Sequence, residues 1–306
     1  MVINNFPKKM FEQLYKKMKI FDNVHEIIYI SLINSSNVGD SLIYLAEKEF
    51  FSKKEINIKL EFKDSQIINK KSINKLPEIP IVVRGGGYFG DVWYESYKVL
   101  EYLVENYKDN MIIFMPQSIF FRDKSKLKKA KIIFDKHKKI IIFARDKISY
   151  KLAKKYFKYA KIYLSPDSAF FLTNKLKPSK KIYISKKFKK GGILYLNRSD
   201  KEKNFGLYSK NILSFDWIYL DLLSRIKYSP HRSIQRAIDL FNNKKLIIAS
   251  RLHGAILASI LGKPYILITN NYHKIESFYN SWLKDDINAH LARNRVELKR
   301  LIEHFS

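Results

Sequence analysis

The 306-residue chain contains no cysteine, which removes disulfides, thiolate metal sites and a cysteine nucleophile. Acidic residues are scarce, 29 Asp and Glu against 58 Lys and Arg, for a formal net charge of +29. With only 10 glycines and 8 prolines, no internal repeat or low-complexity segment stands out. No apolar run approaches the ~20 residues that a membrane-spanning helix needs. The basic stretch from Met1 to Ile20 lacks the apolar core of a signal peptide, so a cytoplasmic location is expected. The seven histidines show no His-x3-His pairing, and no metal site is expected. What is present is ample apolar material, 46% hydrophobic and 14% aromatic. That suffices for a folded globular protein of two ordinary domains.

Arginine supplies 11 of the basic residues and lysine 47. Solvated lysine faces, as an AT-rich coding sequence would produce, account for much of the excess. No helix-turn-helix, RRM, KH or zinc pattern supports nucleic acid as a partner. A functional reading is attraction to phosphorylated substrates and to an anionic membrane surface. The clusters Lys124–Lys131, Lys147–Lys161 and Lys175–Lys190 would then rest against the inner face of the plasma membrane.

Short apolar strands alternate with helical patterns, as in a parallel sheet covered on both faces. Strands are expected at Glu26–Ile33, Ile56–Phe62, Ile81–Val83, Met111–Met115, Ile140–Phe143 and Lys161–Leu164. Helices are expected between them, the first running from Asp40 to Phe51. The lysine-rich stretch Asn174–Lys190 reads as a linker, giving domains 1–175 and 176–306. In the second domain Gly192–Leu196, Lys245–Ala249 and Tyr265–Ile268 read as strands. Phe215–Ile226, Ser233–Asn242, Lys274–Leu283 and Leu291–His304 read as helices. The expected architecture is α/β, two such domains facing each other across a cleft.

Nearly every expected strand ends in small, polar or charged residues, and loops carried by a rigid sheet are where chemistry resides. Glu26–Ile33 leads into Asn37-Val38-Gly39-Asp40, where Gly39 permits close approach of a ligand and Asp40 either caps the helix or acts on a hydroxyl. Ile81–Val83 leads into Arg84-Gly85-Gly86-Gly87, which is neither a dinucleotide fingerprint nor a P-loop. Pro116-Gln117-Ser118, Arg145-Asp146 and Ser165-Pro166-Asp167 follow in turn. The strand Leu246–Ala249 runs into Ser250-Arg251-Leu252-His253-Gly254 and an apolar helix. Arg251 can clamp an anion with two donors and His253 can move a proton near neutral pH. The same histidine would also serve simply at the start of a helix, and the residues alone leave both readings open.

Asn-x-Gly-Asp, Gly-Gly-Gly, Pro-Gln-Ser, Arg-Asp-x-x-Ser, Pro-Asp-x-Ala-Phe and Arg-Leu-His-Gly, in this order, resemble the polysaccharide pyruvyl transferase family. The likeness runs from about Asn34 to Leu283. It implies a GT-B-like fold of two Rossmann-like domains. It also implies transfer of a pyruvyl group from phosphoenolpyruvate, as co-substrate and with no further cofactor, onto two hydroxyls of one sugar as a cyclic ketal. Asn197-Arg198-Ser199-Asp200-Lys201-Glu202 and the stretch from Tyr272 to Trp282 look like members acting on exopolysaccharide or capsule precursors. The likeness carries donor-site roles to Asp40, Arg145, Arg251 and His253, with His253 and Asp40 catalytic. Leu252, Gly39, Gly86 and Gly87 join the expected donor contacts. Gln117, Ser118, Arg198 and Lys274 are expected to meet the acceptor or further anionic groups.

The residue types suit that chemistry. Phosphoenolpyruvate is small and densely anionic, and guanidiniums match its carboxylate and phosphate. The acceptor is expected to be a sugar on a polyprenyl-pyrophosphate carrier. A nucleotide-sugar glycosyltransferase of the same architecture would want similar loops, so fold alone does not separate the two. A non-catalytic protein that binds nucleic acid or membrane through its charge is the reading from a different class.

Overall fold

The computed structural model describes residues 4–32, 37–63, 76–179, 192–206, 212–220 and 229–305. It contains two parallel β-sheets with helices between their strands. The first sheet comprises β1 (Glu26–Ile30), β2 (Asn57–Phe62), β3 (Ile81–Val83), β4 (Gly86–Gly90), β5 (Ile112–Phe120), β6 (Ile140–Ala144) and β7 (Lys161–Leu164). Its order is β2-β1-β3-β5-β6-β7, with β4 alongside β5. The second comprises β8 (Ile193–Leu196), β9 (Leu213–Phe215), β10 (Leu246–Ala249), β11 (Tyr265–Ile268) and β12 (Ala289–Ala292), in the order β12-β11-β10-β8-β9. The helices are α1 (Phe6–Lys17), α2 (Val38–Lys53), α3 (Tyr94–Asn106), α4 (Lys124–Asp135), α5 (Lys147–Tyr156), α6 (Pro230–Asn242), α7 (Leu252–Ile260), α8 (Lys274–Ser281) and α9 (Arg295–His304).

The chain divides into two compact units. One spans Gln13–Asn34 and Glu47–Phe171 and holds the first sheet; the other spans Met1–Glu12, Ser35–Ala46 and Leu172–Ser306 and holds the second. Most of the expected linker, residues 180–190, lies outside the described residues. Among the described residues no helix is long and apolar enough to cross a membrane.

Strand composition explains the layering. β3, β6, β10 and β11 are buried along their whole length, as continuous Ile/Val/Leu runs are when helices cover both faces of a parallel sheet. Helix starts are marked by local chemistry: Asp123 caps α4 and Asp146 caps α5 by accepting from the backbone N–H two or three residues on, and Pro230 opens α6, both standard start signals. In the first-sheet unit, Phe89 packs against Tyr97, Phe114, Phe134 and Phe157 at centroid distances of 5.8, 5.5, 5.2 and 5.6 Å.

Each sheet reverses its strand order once. The first does so between β1 and β3, and the second between β8 and β10. Such points leave a crevice beyond the strand C-termini, because the two connections depart in opposite directions.

Several local expectations need correcting. Gly86 and Gly87, expected in the loop after Ile81–Val83, belong to strand β4; β4 pairs in parallel with the far end of β5, Gly86 opposite Gln117. Pro116 does not end its strand: β5 continues to Phe120, and the register slips between Phe114 and Gln117 where proline offers no N–H to the ladder. The expected helix from Phe215 begins as the end of β9 and a short 3₁₀ turn at Trp217–Tyr219, while residues 221–228 lie outside the described residues. Leu291 and Ala292, read as helical, complete edge strand β12.

Replacing Phe89 by alanine should cost about 3–5 kcal/mol of stability, measured by urea unfolding. A loss under about 1 kcal/mol would mean that the aromatic cluster does not act as one packing unit.

Candidate active site

The switch point of the second sheet gathers the largest group of functional side chains. β8 ends at Leu196 and is followed by Arg198; β10 ends at Ala249 and is followed by Ser250 and Arg251. Ser250 ties the two strand ends together, since its Oγ donates to the Leu196 carbonyl at 2.8 Å and accepts from Arg198 N at 2.7 Å. Arg251 sits in extended conformation at the N-cap of α7. Its Nε and Nη2 donate to the two oxygens of Asp216, both at 2.6 Å, and Nη2 also reaches Asp200 Oδ2 at 3.0 Å. Asp216 follows β9 and accepts further from Ser199 N and Oγ.

The guanidinium is thus held by a planar two-point fork, the strong form of a charge-assisted pair. Burial pushes the Asp216 carboxyl up, but the Arg251 hydrogen bonds and charge outweigh it and leave the group below its ordinary range. Burial likewise pulls Arg251 down, and Asp216 and Asp200 overturn it, so Arg251 stays above its ordinary value. Nη1 has no hydrogen-bond partner among the described residues.

A second hub adjoins it. Glu202, 1% exposed, accepts from Arg198 Nη1 at 2.7 Å, Tyr272 hydroxyl at 3.1 Å, Asn270 Nδ2 at 3.3 Å and the Lys274 ammonium. Arg198 Nε lies 2.8 Å from Asp200 Oδ1. Arg198, Arg251 and Lys274 are therefore matched by Asp200, Glu202 and Asp216. The cations expected to meet anions stand in a charge-balanced network, and Asp200, with 22% of its side chain exposed, is its most accessible carboxylate.

His253 occupies the first turn of α7, partly exposed. The start of α2 packs directly on it. A Cβ built on Gly39 would lie 2.5 Å from His253 Nδ1 and 3.0 Å from Cγ, closer than carbon and nitrogen can approach, so only glycine fits. Two motifs more than 200 positions apart thereby meet. Asn37 is the residue that caps α2: its Oδ1 accepts from Gly39 N at 3.1 Å. Asp40 stands in the first turn of α2, with Asn37 Nδ2 donating to its Oδ2 at 3.0 Å. Gly254 is required next to it, because a Cβ there would stand 2.7 Å from Leu196 Cδ1 and 3.2 Å from Ala249 Cβ. Leu252 is buried in the same packing.

The first-sheet unit holds the remaining expected residues. Arg145 is 1% exposed; Nε donates to Ser118 Oγ at 2.9 Å and Nη1 to Asp167 Oδ2 at 2.7 Å. Ser118 in turn donates to Asp146, the cap of α5. Arg145 and Ser118 thus knit the ends of β5 and β6 to the Asp167 turn. Gln117 is fully buried, its amide nitrogen donating to the Arg84 carbonyl at 2.6 Å. That carbonyl also accepts from the Tyr88 hydroxyl, while the N–H of the same peptide, on Gly85, donates to Glu47 Oε1 at 3.0 Å. The Arg84–Gly85 peptide is held at both ends, and Gly86 and Gly87 continue from it.

Glu47 also accepts from Tyr29 hydroxyl and Ser168 Oγ, each at 2.7 Å. Burial pushes its carboxyl up to about 7 despite these bonds and the nearby Arg84 charge.

A family model for polysaccharide pyruvyl transferases matches residues 37–272, which contain the motifs from Asn37-Val38-Gly39-Asp40 to Arg251-Leu252-His253-Gly254. The chain belongs to the polysaccharide pyruvyl transferase family. Bacillus subtilis EpsO, provisionally designated a pyruvyl transferase, is 28% identical over 96% of each chain. Pyruvyl transferase 1 of Schizosaccharomyces pombe is 26% identical over 86% of this chain and 71% of its own. A functionally uncharacterized protein from Klebsiella pneumoniae shares the fold, with a TM-score of 0.64 at 23% identity over 93% of this chain and 99% of that one.

Within the second-sheet unit, then, Gly39, Arg198, Arg251, Leu252, His253 and Lys274 lie at one switch point and its flanking elements, with Asp40 on the helix start that meets His253. Within the first-sheet unit, Gly86 and Gly87 open β4, Gln117 and Ser118 lie in the C-terminal half of β5, and Arg145 follows β6. Sequence reading missed Asp216, Glu202 and Glu47. Asp216 was hidden because the expected helix began at Phe215, the last residue of β9. Glu47 had a signal, a carboxylate at i+4 from Ile43 on the apolar stripe of α2.

Two outcomes follow from these contacts. In Gly39→Ala the imidazole NMR signals of His253 should move while those of the other six histidines stay; unmoved signals would refute the close packing. Glu47 binds its proton more tightly folded than unfolded, so its contribution to stability falls as pH rises from about 4.5 to about 7, by about 3 kcal/mol in all. The difference in unfolding free energy between wild type and Glu47→Gln should follow that slope; a difference independent of pH would place the titration elsewhere.

Proposed function

We propose that this family member transfers the pyruvyl group of phosphoenolpyruvate onto two hydroxyls of one sugar in an exopolysaccharide or capsule precursor, forming a cyclic ketal. The observation that carries the proposal is Arg251 and His253 at the β8/β10 switch point of a chain that belongs to the pyruvyl transferase family. The reading includes the GT-B-like arrangement, two Rossmann-like units facing a cleft, and a cytoplasmic site of action on a sugar borne by a polyprenyl pyrophosphate.

In this reading an incoming anionic group of the donor replaces Asp200 beside Arg251, whose fork on Asp216 keeps the guanidinium oriented and whose Nη1 meets the ligand. His253 delivers a proton to C3 of the enol, and C2 becomes electron-poor. One sugar hydroxyl adds to C2 as Asp40 takes its proton. The second hydroxyl then displaces phosphate, its proton leaving with the phosphate, to complete the ketal. Positioned proton transfer of this kind contributes about 10²–10⁴-fold. Arg251 stabilises the departing charge. Leu252, Gly39, Gly86 and Gly87 shape the donor contacts, and Arg145 supports them from its buried place through Ser118. Gln117, Arg198 and Lys274 serve the acceptor or its phosphates, Gln117 through the glycine strand that it braces.

Thermal unfolding at constant ionic strength tests the donor. Phosphoenolpyruvate at a hundred times its dissociation constant should stabilise the protein by about 2.7 kcal/mol. His253→Ala should keep that shift and lose turnover, whereas Arg251→Lys, which keeps the charge but not the fork, should lose most of the shift. Stabilisation by nucleotide sugars and not by phosphoenolpyruvate would assign a glycosyltransferase instead.

A further inference from the structure

The charge of the first-sheet unit is unevenly spread. Between Lys124 and Lys158 eleven lysines are exposed, and neither aspartate of that stretch is. Asp135 pairs with Lys131 and accepts from Lys158 N, and Asp146 is buried as the cap of α5. On neighbouring α3 the exposed charges are mostly acidic, Glu95 and Glu105 beside Lys98. A uniformly lysine-rich surface would not show that boundary.

The lysines share a face. α4 and α5 cover one core, where Phe134 and Phe157 pack at a centroid distance of 4.8 Å, their rings tilted by 32°. Their C-terminal ends are joined at the surface: Lys158 N donates to Asp135 Oδ1 at 3.0 Å, and the Lys138 ammonium sits 3.3 Å from the Tyr159 ring centroid. Apolar side chains stand among them. Ile132 is 58% exposed, Ile148 44% and Tyr159 55%. Ile148, Lys151 and Lys155 follow one another at helical spacing, as do Lys128, Ile132 and Lys136, so each row mixes ammonium groups with an apolar residue.

We propose that the outward face of α4 and α5 docks on a bilayer rich in anionic lipid. Lysine stems and tyrosine rings suit the headgroup layer, with the charge reaching phosphate and the apolar body lying below it. Isoleucines at the same level enter the headgroup–acyl boundary. Nucleic acid fits less well: its phosphates offer nothing to Ile132 and Ile148, and no exposed arginine supplies a fork between Lys124 and Lys158. The proposal does not depend on the donor assignment; it would bring the enzyme to a lipid-borne acceptor.

Flotation of the full chain with phosphatidylglycerol–phosphatidylcholine vesicles, against phosphatidylcholine alone, tests it. Binding should require the anionic lipid and weaken roughly tenfold or more in Lys136→Glu/Lys151→Glu/Lys155→Glu. The control Arg295→Glu/Lys299→Glu/Arg300→Glu on exposed α9 changes the net charge equally and should bind nearly as wild type. Ile132→Ser/Ile148→Ser should lose the part of binding that survives high salt. Equal loss in both charge variants would reduce the effect to net charge and overturn the face. No binding to anionic vesicles, or tighter binding to duplex DNA through the same lysines, would overturn the membrane. Since all these residues are exposed, unchanged circular dichroism separates each outcome from misfolding.

Discussion

The pairing of Arg251 with Asp216 is the interaction on which the second-sheet unit is organised. A guanidinium 5% exposed is tolerable only with its charge answered, and the two-point fork answers it. The fork also draws three strand ends together, because Asp216 follows β9, Arg251 follows β10 and Ser199 follows β8. Removing one partner of so buried a pair would leave an uncompensated charge, typically worth about 3–5 kcal/mol. The same pair fixes the direction of the guanidinium, and a fixed dipole costs no reorganisation when charge develops nearby. Stability and orientation here have one physical source.

Charge balance in that network bears on how an anion is received. Among the described residues, the network's three cations are matched by three carboxylates. In the proposed reading, a ligand gains by displacing the weakest member. Asp200, reached by one Arg251 hydrogen bond at 3.0 Å and partly exposed, is that member, whereas Asp216 and Glu202 are too deeply bound. Such an exchange favours a ligand that carries more charge than one carboxylate, and phosphoenolpyruvate, with carboxylate and phosphate together, meets the condition.

The first-sheet unit solves a different problem, how to hold a glycine strand that has few side chains to anchor it. The Arg84–Gly85 peptide is gripped through its own N–H and C=O by Glu47, Gln117 and Tyr88. Backbone anchoring by buried side chains leaves the flanking glycines free of bulk. A carboxyl that titrates near neutrality in this position couples proton uptake to the strand's support, and its cost in the charged form is the price of that grip.

Local sequence determined the periodicity and the strand ends. Fully apolar runs read as buried parallel strands because nothing polar could lie between two helical layers, and most motifs at their ends fell where the sheet places them. Arg251 and His253 were legible for that reason, as residues fixed by a strand and a helix start only two positions apart. Three things required the tertiary structure. Proline at 116 could not reveal that β5 continues beyond it, since the compensating register slip involves β6 and β4. Asp216, Glu202 and Glu47 find most of their partners far along the chain. Gly39 could be read from sequence as a turn, but its necessity comes from an imidazole 214 positions away. Sequence neighbours settle backbone conformation within a few residues; which charge answers which, and where a Cβ has no room, depends on atoms that only folding brings together.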